Sequence, residues 1–158
     1  MGVGVSNWRL ARTVSALGHL GVVSGTALDQ VLIRRLQDGD PGGNMRRAFD
    51  HFPFPQVAEE IWQKYYVPGG KPETKPYALG PMPDQDGPRE FRMLCVVANF
   101  AEVFLARQEH QNPVGINFME KLQLPHLPSI YGAMLAGVDF ILMGAGIPMK
   151  IPGVLDAY

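Results

Sequence analysis

What this 158-residue sequence has little of narrows its chemistry. It holds one cysteine, Cys95, so no internal disulfide can form, and that residue sits in the apolar run 93–98, where a buried, inert thiol is expected. A reducing cytoplasm is therefore the expected compartment. Neither sign of charge is in excess: 14 Lys and Arg stand against 15 Asp and Glu. That balance supplies neither the basic groove of a nucleic-acid binder nor the polybasic face that an anionic membrane attracts, so neither partner is expected. No run reaches the ~20 apolar residues of a membrane helix, and no basic segment leads into a long apolar one as an export signal would. The four histidines and one cysteine are not spaced as metal ligands, so no metal is expected. Gly2-x-Gly4 lacks the third glycine and the downstream acid of a dinucleotide-binding turn. There is no fixed-period repeat and no low-complexity tract.

What is present is enough apolar material, 46% of residues, for one core. Residues 2–5 alternate glycine and valine and are expected to form a first strand. Trp8, Ala11, Val14 and Leu17 then recur at helical spacing, and Gly18 ends that helix. A second strand is expected at 20–23, closed by Ser24-Gly25-Thr26, followed by a helix over 27–36. The run 38–43, Asp-Gly-Asp-Pro-Gly-Gly, interrupts this alternation. Short helices are expected at 45–52 and 56–66, and an irregular, Pro/Gly-rich surface stretch at 67–88. The span 39–88 is thus an excursion within one domain covering residues 1–158. A long helix with a wide apolar stripe follows from residue 89, stopped by Pro113. A third strand is expected at 114–118, a helix at 128–136, a fourth strand at 138–143, and a sharp turn at 144–148. Alternating strands and helices define an α/β fold with a parallel sheet, because parallel neighbours need a crossover and a helix satisfies its own backbone while crossing.

In parallel α/β folds ligands lie at the carboxyl ends of the strands, so the residues there are the candidates. They are Gly2, Val3 and Gly4; Ser24, Gly25 and Thr26; Asn117 and Lys121; and Gly144 with Gly146. Glycine or a small polar residue recurs at every strand end, where a flat ring or a phosphate can approach the backbone; turn chemistry is the alternative at each position. Asn117 offers both a donor and an acceptor to a heterocycle edge, or else simply shapes a turn. Lys121 can set a cation beside a ring that gains negative charge on reduction, or lie solvated. Among the histidines, His126 is the best placed for proton transfer or substrate contact, whereas His19, His51 and His110 are read as structural.

The segments Met1-Gly-Val-Gly-Val-Ser6, Leu20-Gly-Val-Val-Ser-Gly-Thr-Ala-Leu-Asp29, Pro113-Val-Gly-Ile-Asn-Phe118 and Ala136-Gly-Val-Asp-Phe-Ile-Leu-Met-Gly-Ala-Gly-Ile-Pro148 resemble the nitronate monooxygenase (2-nitropropane dioxygenase) family. The resemblance covers both ends of the chain and not the excursion. It implies an FMN-dependent TIM barrel that oxidises alkyl nitronates with dioxygen, with flavin-dependent enoyl-ACP reductases as relatives on the same barrel. It further implies that the backbone of Met1, Gly2, Val3 and Gly4 packs on the isoalloxazine, that Ser24, Gly25 and Thr26 line its rim, and that Asn117 and Lys121 touch its polar edge. His126 and Lys121 are then the candidates for catalysis, with a small molecule as substrate. The family's histidine shortly before a Gly-x-Pro is replaced here by Met143-Gly144-Ala145 ahead of Gly146-Ile147-Pro148. That departure keeps enoyl reduction open beside nitronate oxidation, and a non-catalytic α/β binding module is the alternative from another class.

Eight β/α units occupy ~250 residues, so the expected architecture is the N-terminal part of such a barrel, about four units, with an insertion between strands 2 and 3. Loops late in such barrels hold the FMN phosphate, so this stretch alone is expected to be inactive. Its open sheet edges are expected to drive self-association.

Overall fold

The computed structural model describes residues 2–82 and 88–158. It is a mixed α/β fold in which three parallel strands and, among the described residues, seven helices alternate. Helix α1 (Trp8–Ala16) is capped by the Asn7 side chain, which accepts the Arg9 and Leu10 N–H groups. Strand β1 (Gly21–Ser24) leads to α2 (Leu28–Gln37), and the excursion follows as α3 (Asn44–Phe49) and α4 (Pro55–Tyr65). Then come α5 (Arg89–Ala106), β2 (Val114–Met119), α6 (His126–Leu135), β3 (Phe140–Gly144) and α7 (Ile151–Ala157).

The strands lie in the order β1-β2-β3, with Val23 paired to Ile116 and Ile116 to Ile141. Sequential order with right-handed crossovers places every crossing helix on one side of the sheet. The side chains agree. Gly21 lies so close to α1 that an added Cβ would sit 2.5 Å from Ser15 Oγ, and the Phe118 ring meets His126 of α6. Val23, Val114, Ile116 and Phe118, which share that side by the two-residue alternation, are buried. On the opposite face Val22 and Leu142 lean over Gly115, where an added Cβ would lie 3.0 Å from Leu142 Cδ1. Val22 and Leu142 are only half-buried, and Met119 and Phe140 are exposed. No described element of the chain covers that face.

Helix α5 is buried along nearly its whole circumference, because the sheet and α6 take one side while α2, together with α3 from the excursion, takes the other. This puts Glu102 in the interior, 2% exposed. Its carboxylate accepts the Trp8 N–H at 2.7 Å and a two-pronged bond from the Arg35 guanidinium, tying α1 and α2 to α5.

One sequence expectation is corrected. Residues 2–5 are a turn, not a strand: Gly4 adopts φ 68°, and the Val5 and Ser6 N–H groups both point to the Gly2 carbonyl. The glycine freedom that suggested close ligand approach is used for chain reversal. The sheet therefore has three strands where four were expected. Helix α7 answers to no sequence expectation, since the Pro148–Gly153 breakers conceal it, although proline is tolerated in a first helical turn.

Removing either partner of the Glu102–Arg35 pair leaves the other charge without its counterpart. Glu102→Ala is expected to lower unfolding free energy by about 3 kcal/mol in a denaturant titration, more than any change to the exposed Arg46–Asp50 pair.

Candidate functional site

The register brings the predicted strand-end residues to one place. Ser24 is directly paired with Asn117, and Asn117 with Leu142. The Gly25 N–H donates to the Asn117 carbonyl at 2.8 Å, and the Glu120 N–H donates to the Gly144 carbonyl at 2.8 Å. Gly4 stands at the β1 side of the same rim, since the Ser6 carbonyl accepts the Ser24 N–H and the Ser6 hydroxyl donates to Val22. The turn at residues 2–6 thus occupies the edge position beside β1, with Val3 and Val5 exposed. Met1 lies outside the described residues.

The glycines do different work. An added Cβ at Gly25 would overlap the Phe118 ring, reaching 2.6 Å from Cδ1, so packing alone requires that glycine. A Cβ added at Gly144 would make only ordinary contacts, at 3.9 Å from Asn117 Nδ2 and the Phe118 carbonyl, and one at Gly4 would meet nothing within 4 Å. Asn117 is half-buried on the uncovered face and donates a long bond, 3.4 Å, to the Leu142 carbonyl. Thr26 lies beside a small apolar groove with Leu79, Met82 and Leu122.

A larger cavity of about 480 Å3 opens between the loops that follow β2 and β3. Its apolar wall is Leu127, Ile147, Met149, Ile151 and Val154, and its polar groups are Glu120, Gln123, His126 and Lys150. That volume and that mix suit a small organic ligand. His126, the first residue of α6, is buried and its Nε2 lies 3.0 Å from the Met119 carbonyl. Because that partner can only accept, Nε2 is the donor in this contact, and Nδ1 is the ring nitrogen that it leaves over. Gln123 donates to Glu120 at 3.0 Å, which fixes one carboxylate oxygen. Lys121 is exposed in the turn after β2 and lines neither of these cavities.

Sequence reasoning missed Lys150 and Gln123 as members of this cleft. Neither carries a periodic or motif signal; only the approach of the two loops unites them. Two of the other histidines hold helix ends: His51 Nδ1 meets the Arg47 carbonyl and His110 Nε2 the Ala106 carbonyl, both at 2.8 Å. Burial, with Asp29 nearby, pushes the Cys95 thiol up to about 12. Among the described residues no group of His, Cys, Asp or Glu is gathered as a metal site, and no helix is long and apolar enough to cross a membrane. Compared with models of known families, with curated proteins and with solved structures, the chain matches none of them.

A thiol held that high is protonated at neutral pH and shielded. Cys95 is expected to resist alkylation in the native protein at pH 7.5 and to react stoichiometrically once denatured, as read by mass spectrometry. Gly25→Ala is expected to cost about 2 kcal/mol of stability through the Phe118 clash.

Proposed function

We propose that this chain is part of an FMN-dependent oxidoreductase similar to the nitronate monooxygenases. In this reading the ring lies on the uncovered sheet face at the strand ends, and a small, largely apolar substrate occupies the neighbouring cleft. The observation that carries it is the meeting of Ser24, Asn117 and Gly144 at one rim, where no side chain of Gly144 stands beside the Asn117 amide. These residues fit a flat heterocycle: glycine admits it, and the Asn117 amide can read its polar edge. FMN bound there would supply an electron-accepting ring for hydride or single-electron transfer.

The chain's own residues would bind and orient. Asn117 fixes the ring edge, the apolar cleft wall excludes water from the substrate, and His126, anchored through Nε2, offers Nδ1 to a substrate proton. Lys121, by its exposure, is better suited to long-range charge than to direct contact. The strongly apolar wall, together with Met143-Gly144-Ala145 in place of a histidine after β3, favours a second reading. This is a flavin-linked reductase acting on an apolar acyl chain, related to enoyl-ACP reduction.

FMN fluorescence titration tests both readings, since each needs the ring. Saturable 1:1 quenching is expected, and Gly144→Ala should weaken it at least about 10-fold while leaving the melting temperature unchanged, because its Cβ clashes with no atom of the chain. Absence of any quenching by the native protein would overturn the flavin assignment. Loss of the melting transition in Gly144→Ala would show that the residue serves packing instead.

A further inference from the structure

Two side chains of opposite charge, Glu120 and Lys150, line the cleft beside His126, and among the described residues neither forms an ion pair. A solvated lysine is ordinary; the glutamate is not placed as a solvated one would be. Glu120 is held at three points. Its N–H donates to the Gly144 carbonyl at 2.8 Å, its Oε1 accepts from Gln123 Nε2 at 3.0 Å, and its side chain lies across Gly146. A Cβ added at Gly146 would come 2.7 Å from Glu120 Oε2 and 2.9 Å from Glu120 Cβ. The first contact could rotate away, but the second could not, because the backbone fixes Cβ. Gly146 does not use the left-handed backbone that glycine permits, whereas its neighbour Ala145 does, at φ 62°. The glycine is therefore required by the side chain that passes over it and not by the turn.

The carboxylate is thus fixed with one oxygen satisfied. The other, Oε2, receives no donor from the described chain. A ligand that fills the cleft takes water away from this half-buried group and crowds the exposed Lys150. A neutral apolar molecule would leave both charges unmatched, a simple amine would leave Lys150 so, and a simple carboxylate would set its own charge beside Glu120. Only a molecule that carries a cationic donor and an anion on one apolar body leaves nothing uncompensated.

We propose that this cleft binds an apolar α-amino acid, an inference that rests on reading the cleft as the substrate site but not on the flavin. The ammonium group donates to Glu120 Oε2, and the carboxylate is met by Lys150, whose long flexible stem sets its reach. The side chain lies on the wall of Leu127, Ile147 and Met149. Gln123 and Gly146 act as positioning residues: the first holds the carboxylate through Oε1, and the second gives it room to lie across the loop.

Isothermal titration of the full chain without FMN can compare three probes of one shape: L-phenylalanine, 3-phenylpropanoate, which lacks the ammonium, and phenethylamine, which lacks the carboxylate. L-phenylalanine is expected to bind 1:1 with a dissociation constant below about 1 mM, and each truncated probe at least about 10-fold more weakly. Glu120→Gln should weaken L-phenylalanine at least about 10-fold and leave 3-phenylpropanoate unchanged, whereas Lys150→Gln should weaken L-phenylalanine and spare phenethylamine. If either variant melts unlike the native chain, the three probes on the native protein still decide. Absence of L-phenylalanine binding, equal binding of the three probes, or folded variants that do not discriminate among them would each overturn the proposal. FMN titration reports separately. Amino-acid binding without flavin quenching would remove the ring and keep this site, and quenching without amino-acid binding would do the reverse.

Discussion

The constraint on which the structure depends is that a parallel sheet wound in one direction receives all its crossing helices on one side. Strand order β1-β2-β3 leaves no alternative. Core formation is therefore lopsided. Val23, Ile116 and Phe118 are sealed beneath α1, α5 and α6, while Val22, Asn117, Met119 and Leu142 project from a face that no described element covers. The same winding brings every strand-to-helix loop to one rim, where the cleft beside His126 and the side-chain-free Gly144 are found. Doubly wound sheets place ligands where the strand order reverses. Here there is no reversal, and the strand tips themselves are the only shared location.

Helix α2 and the excursion's α3 together change the character of the helix they cover. A helix outside a singly wound sheet ordinarily shows one face to water; α5 shows almost none, because α2 and α3 close over it. Burying that helix all round placed a carboxylate in the interior, and Glu102 is tolerated there because Arg35 and the Trp8 N–H satisfy it. The pair costs desolvation and returns geometry: it fixes where α1 and α2 meet the central helix.

Much of this was legible in the sequence. The apolar spacing located α1, α2, α5 and α6 to within a few residues, and the short apolar runs located all three strands of the sheet. What failed did so for local reasons. Residues 2–5 alternate as a strand does, but two glycines in four residues cost an extended chain little to reverse, and Gly4 does reverse it. Proline hid α7, since breaker residues and first-turn residues look alike without knowledge of where a helix begins. The strand-end cluster could be anticipated because a parallel sheet collects it by topology. The cleft partners Gln123 and Lys150, and the Arg35–Glu102 bond across 67 residues, could not, because sequence pattern carries no information about which distant loops or helices touch.

The bond from Glu102 to the first peptide N–H of α1 has a mechanical meaning. Only the cap residue Asn7 separates Trp8 from the 2–6 turn, and that turn is hydrogen-bonded to the edge of β1 through Ser6. The turn is thus clamped between two fixed points, a strand on one side and a side chain of the central helix on the other. Its freedom to swing over the rim is set from deep inside the molecule, so a disturbance at residue 102 would be transmitted as displacement at the mouth of the site rather than absorbed where it arose.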